Sequence, residues 1–128
     1  MDRTAVQGWL DRYVSAWESY DRAEIESLFA ADATYRYHPY DKDPVTGRDA
    51  IVDDWLEARD EAGTYDAHYE PFAVDGDRAV AVGTSRYFSD ASRSTLSRVY
   101  DNVYLLEFDA DGRCTSFTEY FMQEPGAK

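Results

Sequence analysis

Apolar residues recur along the first third of the chain at helical intervals. Val6, Leu10, Tyr13, Trp17 and Tyr20 follow one another at steps of four and three, the stripe of an amphipathic helix. Thr4-Ala-Val-Gln7 has the form of a capping box that opens it. Asp21-Arg-Ala-Glu24 reads as a second cap, followed by a short helix that buries Ile25, Leu28 and Phe29. Residues 34–38 are aromatic and β-branched, fit for a strand that Pro39 stops. Thr46-Gly47 then precedes a third helix, with Ile51, Val52, Trp55 and Leu56 on its inner face and Gly63 at its end.

Beyond Gly63 the pattern becomes extended. Residues 65–74 and 78–88 flank Asp75-Gly76-Asp77, a hairpin signal. A polar stretch, 89–97, separates them from strands 98–108 and 113–123, joined through Asp111-Gly112. Helices first and antiparallel hairpins afterwards predict an α+β fold, with the helices on one face of a curved sheet. In strand 98–108, Tyr100, Asn102, Tyr104, Leu106 and Phe108 share one face, while Val99, Val103 and Leu105 lie on the other. A sheet with one wet face alternates apolar and polar more cleanly than this. One face is expected to meet the helices and a pocket, and the other a second subunit, giving a homodimer through the sheet. The alternative is a monomer whose sheet leaves no edge free.

Composition narrows the partners. The 128 residues suit one domain spanning 1–128, and 44% hydrophobic content is enough to bury roughly two thirds of the unfolded chain's surface. Cys114 is the only cysteine, which excludes an intramolecular disulfide and a Cys-rich metal site. No apolar run approaches the ~20 residues that span a bilayer, and the N-terminus lacks the apolar core of a signal peptide, so a cytoplasmic protein is expected. With 26 acidic against 13 basic residues, the formal charge of −13 repels nucleic acid and anionic membranes. The acids are mostly Asp and the bases mostly Arg; a GC-rich genome and a salt-loving source both explain this, and neither is a function.

The run Ala30-Ala-Asp-Ala-Thr-Tyr-Arg-Tyr-His-Pro-Tyr40, between two short helices and a third opened at Gly47, resembles the nuclear-transport-factor-2-like superfamily. That superfamily includes SnoaL-like polyketide cyclases and ketosteroid isomerases. The resemblance implies a cone-shaped, curved antiparallel sheet wrapped around three N-terminal helices, with a single pocket. Residues 13–34 are similar to the opening of the ketosteroid isomerases, and Glu107-Phe-Asp-Ala-Asp-Gly-Arg113 to their last hairpin. Tyr13 then falls where those enzymes keep a tyrosine that hydrogen-bonds the developing oxyanion, a donor worth far more in a dry cavity than in water. Their general-base Asp would fall at Tyr37, or at His38 with one residue inserted, and their second oxyanion donor at Tyr104. The base carboxylate is therefore missing, and classical steroid isomerisation is not implied. The limonene-epoxide-hydrolase branch uses an Asp-Arg-Asp relay to activate water, and no such relay is assembled from this sequence. SnoaL-like cyclases move a proton beside a carbonyl without metal or organic cofactor, so no cofactor is expected here.

Glu119 is the sharpest catalytic candidate. In Thr115, Phe117, Glu119, Phe121 it is the one carboxylate on an otherwise largely apolar face, and the resemblance makes that face the pocket wall. Desolvation among aromatics raises a carboxyl pKa towards the range a general acid or base needs. The competing reading is a buried ion pair with Arg86 or Arg98. His38, at a strand end, has the right chemistry for proton transfer, or is simply solvated there. His68 reads as structural. Tyr13 either faces a ligand or is a core tyrosine tied to a neighbour. Trp17, Tyr37, Trp55, Asn102, Tyr104, Leu106, Phe117 and Phe121 are the candidate ligand contacts, suiting a small apolar or aromatic, partly oxygenated molecule. Two unrelated histidines make no metal site. Asp53-Asp54 and Arg59-Asp60-Glu61 are assigned to the solvated side of helix three. The functional expectation is an isomerase, cyclase or hydratase working by proton transfer; the alternative is a non-catalytic ligand carrier or association domain.

Overall fold

The computed structural model describes residues 1–126. Helix α1 (Arg3–Ser19) is capped by Asp2, whose carboxylate accepts the Ala5 N–H at 2.8 Å. The expected Thr4 capping box is not the device used: a carboxylate two residues upstream takes the orphan donor first. Tyr20 ends the helix in the left-handed region at φ 50°, donating its N–H to the Ala16 carbonyl. The buried face is Val6, Trp9, Leu10, Tyr13 and Ala16, so Trp9 joins the predicted stripe and Tyr20 falls off its end.

Helix α2 (Arg22–Glu26) is capped by Asp21 as expected, but lasts only five residues. Leu28 and Phe29 are fully buried, yet Phe29 already opens strand β1 (Phe29–Arg36). The predicted first strand therefore starts five residues early and stops before Tyr37. After the two-residue β2 (Val45–Thr46), Gly47 adopts φ 94° as the N-cap of α3 (Arg48–Glu57), a backbone setting that favours glycine. Helix α3 ends at Ala58, well short of Gly63. Four long strands follow: β3 (Tyr65–Asp75), β4 (Arg78–Phe88), β5 (Leu96–Phe108) and β6 (Cys114–Gln123).

These strands form one six-stranded sheet in the order β2-β1-β6-β5-β4-β3. It is curved and unclosed, with the N-terminal helices in its hollow, the α+β cone expected. Strands β3 to β6 are an antiparallel meander. One junction departs from the expected antiparallel sheet: β1 runs parallel to β6, reached through α3 and the whole meander rather than a hairpin. Register shifts at 71–73, 87–88 and 107–108 mark irregularities that bend the strands. The register also sorts the side chains. Cross-strand rows Ala79/Leu106/Phe117, Ala81/Tyr104/Glu119 and Gly83/Asn102/Phe121 face the helices, while Val80/Leu105/Thr118, Val82/Val103/Tyr120 and Thr84/Asp101/Met122 face outward. Among the described residues no helix is long and apolar enough to cross a membrane.

Candidate functional site

The hollow is only partly filled. Its lower level is solid: Phe117 stacks on Tyr35 with centroids 4.2 Å apart, and Trp9 packs against Tyr13, Phe29 and Phe108. Above this level a cavity of about 470 Å³ opens between α1, α3 and the inner face of the sheet. Tyr13 and Trp17 reach it from α1, Tyr37 from the end of β1, Trp55 from α3, and Asn102, Tyr104, Glu119 and Phe121 from β5 and β6. These eight predicted residues converge on one space.

Three predicted residues do not. Leu106 and Phe117 are fully buried one row lower, in the packed core, because the cavity begins only where α1 and the sheet diverge. His38 lies outside the cavity. The chain turns away after Tyr37, and Asp41 holds the histidine there, accepting its backbone N–H at 3.1 Å and lying 3.3 Å from Nδ1. Its ring stacks on exposed Tyr40 at the edge of a groove on the outer sheet face. The groove shares Asn102, Glu119 and Phe121 with the cavity, and the His38 ring lies 5.4 Å from that of Phe121.

Glu119 is half-buried among aromatics, and burial pushes its carboxyl up to about 7, against the lowering effect of the Asn102 hydrogen bond. Asn102 Nδ2 donates to Glu119 Oε2 at 2.9 Å. The ion-pair reading fails: Arg86 is engaged with Asp66, at 2.7–2.8 Å through two nitrogens, on the outer face. Arg98 lines the cavity but lies over the Tyr87 ring, 4.5 Å from its centroid. Among the described residues Arg98 makes no ion pair with a carboxylate, so no Asp-Arg-Asp relay forms here.

The tyrosines are arranged as donors. Tyr13 and Tyr35 hydroxyls lie 2.9 Å apart. Two hydroxyls bonded to each other use one proton between them and leave the other free to donate. Burial first, and Glu119 among the lesser causes, raises Tyr13, Tyr35 and Tyr104 well above the ordinary phenol pKa, so all three stay protonated near neutral pH. The Tyr104 ring is almost fully buried, and its hydroxyl interacts with that of Tyr69. Tyr104 also lines the cavity.

Two carboxylates assigned to solvent belong to the site. Asp54 lines the cavity and accepts a short hydrogen bond from Tyr37 Oη. Asp60 accepts from Trp17 Nε1 at 3.0 Å, while its N–H donates to Tyr20 Oη at 2.9 Å. Asp54 was findable: it follows Ile51 by three and precedes Ala58 by four, on the flank of the buried stripe. Asp60 lies past the end of α3, where periodicity carries no information. Tyr69 and Ser85 were also missed; both are buried, and the alternation in β3 and β4 is blurred.

A SnoaL-like domain model matches residues 10–117, from within α1 into β6, and stops two residues before Glu119. The chain belongs to the SnoaL-like family. Solved structures agree on the fold of this SnoaL-like domain. An NTF-2-like protein of unknown function from Burkholderia xenovorans LB400 superposes with TM-score 0.71 at 16% identity, covering 98% of this chain and 88% of that one. A protein provisionally assigned as a ketosteroid isomerase from Kribbella flavida DSM 17836 gives 0.69 at 19% identity, over 99% and 84%. An LEH-like epoxide hydrolase from M. tuberculosis gives 0.65 at 15% identity, over 94% and 84%. No curated protein matches by sequence. At these identities the likeness of this SnoaL-like domain to solved structures is one of fold.

Proposed function

We propose that this SnoaL-like domain is a cofactor-independent acid–base enzyme, an isomerase, cyclase or hydratase that moves a proton on a small, flat, oxygenated substrate. The observation behind this reading is Glu119: a carboxyl near neutrality, facing a largely aromatic cavity, with one oxygen held by Asn102. Near its midpoint such a group is present in both forms, so it can accept a proton from carbon and return it elsewhere. Tyr104, and the spare proton of the Tyr13–Tyr35 pair, would donate to the oxygen that gains charge. Trp17, Trp55 and Phe121 would hold the ring system. Asp54, bonded to Tyr37 on the far wall, offers a second carboxylate. The isomerase assignment and the epoxide-hydrolase name among its structural neighbours fit reactions of this kind.

The test needs no known substrate. Flat cyclic enones, starting with 2-cyclohexenone, are incubated in D2O and deuterium entry beside the carbonyl is followed by NMR. Exchange above the buffer rate supports the proposal. Exchange at the buffer rate throughout, with the enones still bound, favours the carrier reading instead, for which the mutual bonding of Tyr13 and Tyr35 is the specific support.

The same reading includes a homodimer through the outer sheet face. Leu105, Tyr120 and Met122 are exposed there, Met122 by 75%, in adjacent rows beside Val82 and Val103. An apolar patch of this kind is what a subunit interface covers. Wild-type protein is expected to elute with the light-scattering mass of a dimer, and Tyr120→Asp with that of a monomer. A monomeric wild type at high micromolar concentration removes the dimer from the proposal.

A further inference from the structure

The carboxylate of Glu119 is the end of a longer chain of side chains that crosses four strands. Tyr69 Oη on β3 is hydrogen-bonded to Ser85 Oγ on β4, Ser85 Oγ donates to Asn102 Oδ1 on β5 at 2.8 Å, and Asn102 Nδ2 donates to Glu119 Oε2 on β6. Each link is diagonal in the register: Tyr69 faces Gly83, Ser85 faces Tyr100, and Asn102 faces Phe121. Diagonal neighbours lie further apart than direct partners, so only long or leaning side chains close the row. Gly83 permits the first lean. A Cβ there would meet the Tyr69 ring at 2.5 Å and the His68 carbonyl at 2.1 Å.

The donors in this row fix its direction. Ser85 has one proton and gives it to Asn102 Oδ1, so Tyr69 must be the donor in its bond to Ser85. The Asn102 amide is thereby held with its carbonyl toward Ser85 and its NH2 toward Glu119. All three supporting side chains are buried: Tyr69 is 2%, Ser85 3% and Asn102 4% exposed. Water therefore does not readily substitute for a lost partner. An NH2 group serves an ionised carboxylate well and offers nothing to the O–H of a protonated one. To favour protonated Glu119, the amide must turn over and give up its bond from Ser85.

We propose that Ser85, backed by Tyr69, is a positioning residue that sets the proton affinity of Glu119 by fixing which end of the Asn102 amide faces it. This rests on the reading of Glu119 as the proton carrier, and adds the device that tunes it. The row offsets part of the desolvation of Glu119 and keeps the group from becoming a permanent acid. Other titratable and charged groups share the cavity: Tyr13 from α1 and Tyr20 at its end, Tyr35 and Tyr37 from β1 and beyond, Asp54 from α3 and Asp60 after it, Tyr87 from β4, and Arg98, Tyr100 and Tyr104 from β5. None of these ten is hydrogen-bonded to Ser85, so a change at Ser85 reaches Glu119 through Asn102.

The Glu119 carboxyl carbon, labelled with 13C, is titrated by NMR in wild type, Ser85→Ala and Tyr69→Phe. Without the Ser85 hydroxyl the amide turns freely and protonated Glu119 gains the carbonyl as acceptor. The midpoint is expected to rise by about one pH unit, a tenfold gain in proton affinity, and by a smaller step in Tyr69→Phe. A Ser85→Ala midpoint equal to the wild-type value, in a protein that folds, overturns the inference; if that variant does not fold, an unshifted Tyr69→Phe midpoint does so. The readout needs no turnover. An inert protein that still shows the shift keeps the inference and loses only the catalytic reading.

Discussion

Glu119→Gln is expected to lose at least about 100-fold of the proposed carbonyl-adjacent deuterium exchange, the lower end of what a positioned general acid or base contributes. Glutamine keeps the shape and can still bond Asn102, so the cavity stays intact while the exchangeable carboxyl proton disappears. The same variant gains stability at alkaline pH. The sign follows from the direction of the shift: folding raises the Glu119 pKa from 4.5 to about 7, so the folded state binds the proton more tightly than the unfolded chain. Stability therefore falls as pH rises from about 4.5 to 7, and the whole penalty is present above that window. Partial exposure of the group tempers its size to about 1–3 kcal/mol. Urea melts at pH 8 should show Glu119→Gln more stable than wild type by this amount, and melts at pH 4 should show the two alike. Retained exchange in Glu119→Gln removes the residue from the chemistry.

Trp9→Ala is the most damaging change expected for the fold. Trp9 is 1% exposed, stacks at 5.5 Å on Tyr13, and meets Phe29 and Phe108 edge-on. Its Nε1 donates to the Leu28 carbonyl at 2.9 Å, tying α1 to the turn where α2 gives way to β1. Truncation leaves a large void and an unpaired buried carbonyl, together about 3–5 kcal/mol. That is a large part of the 5–15 kcal/mol typical of a domain. Chemical denaturation should show a midpoint sharply lowered at unchanged slope. Trp9→Phe, which keeps much of the ring but loses the donor, is expected to fall between the two.

The same residue shows where the sequence was legible and where it was not. The helical spacing of Val6, Leu10 and Tyr13 placed α1 correctly, but a single line of residues is narrower than the stripe a packed helix buries. Trp9 sits beside that line and is as deeply buried as Leu10 on it. The hairpins were readable because Gly76 and Gly112 take positive φ at their turns. Phe29 was misassigned because burial alone cannot distinguish a buried helix residue from a strand residue in so short a segment. In the cavity, Glu119 stood out as a lone carboxylate on an apolar face, and the register confirms that it shares a row with Tyr104. Asp54 did not stand out, because beside Asp53 it looked like part of a solvated acidic pair; only the helix phase separates the two. Asp53 indeed faces outward, 2.6 Å from Arg22. Ser85 and Tyr69 gave no signal, since their roles depend on partners on neighbouring strands that sequence distance hides.

Glu119 as a near-neutral carboxyl inside an aromatic hollow is open to one direct measurement: the wild-type titration of its side-chain 13C resonance, assigned by its absence in Glu119→Gln. A midpoint close to 7 is expected, set by burial and moderated by Asn102. A midpoint near 4.5, that of a solvated glutamate, would mean that water reaches the group freely and that the proton-transfer chemistry has no carrier.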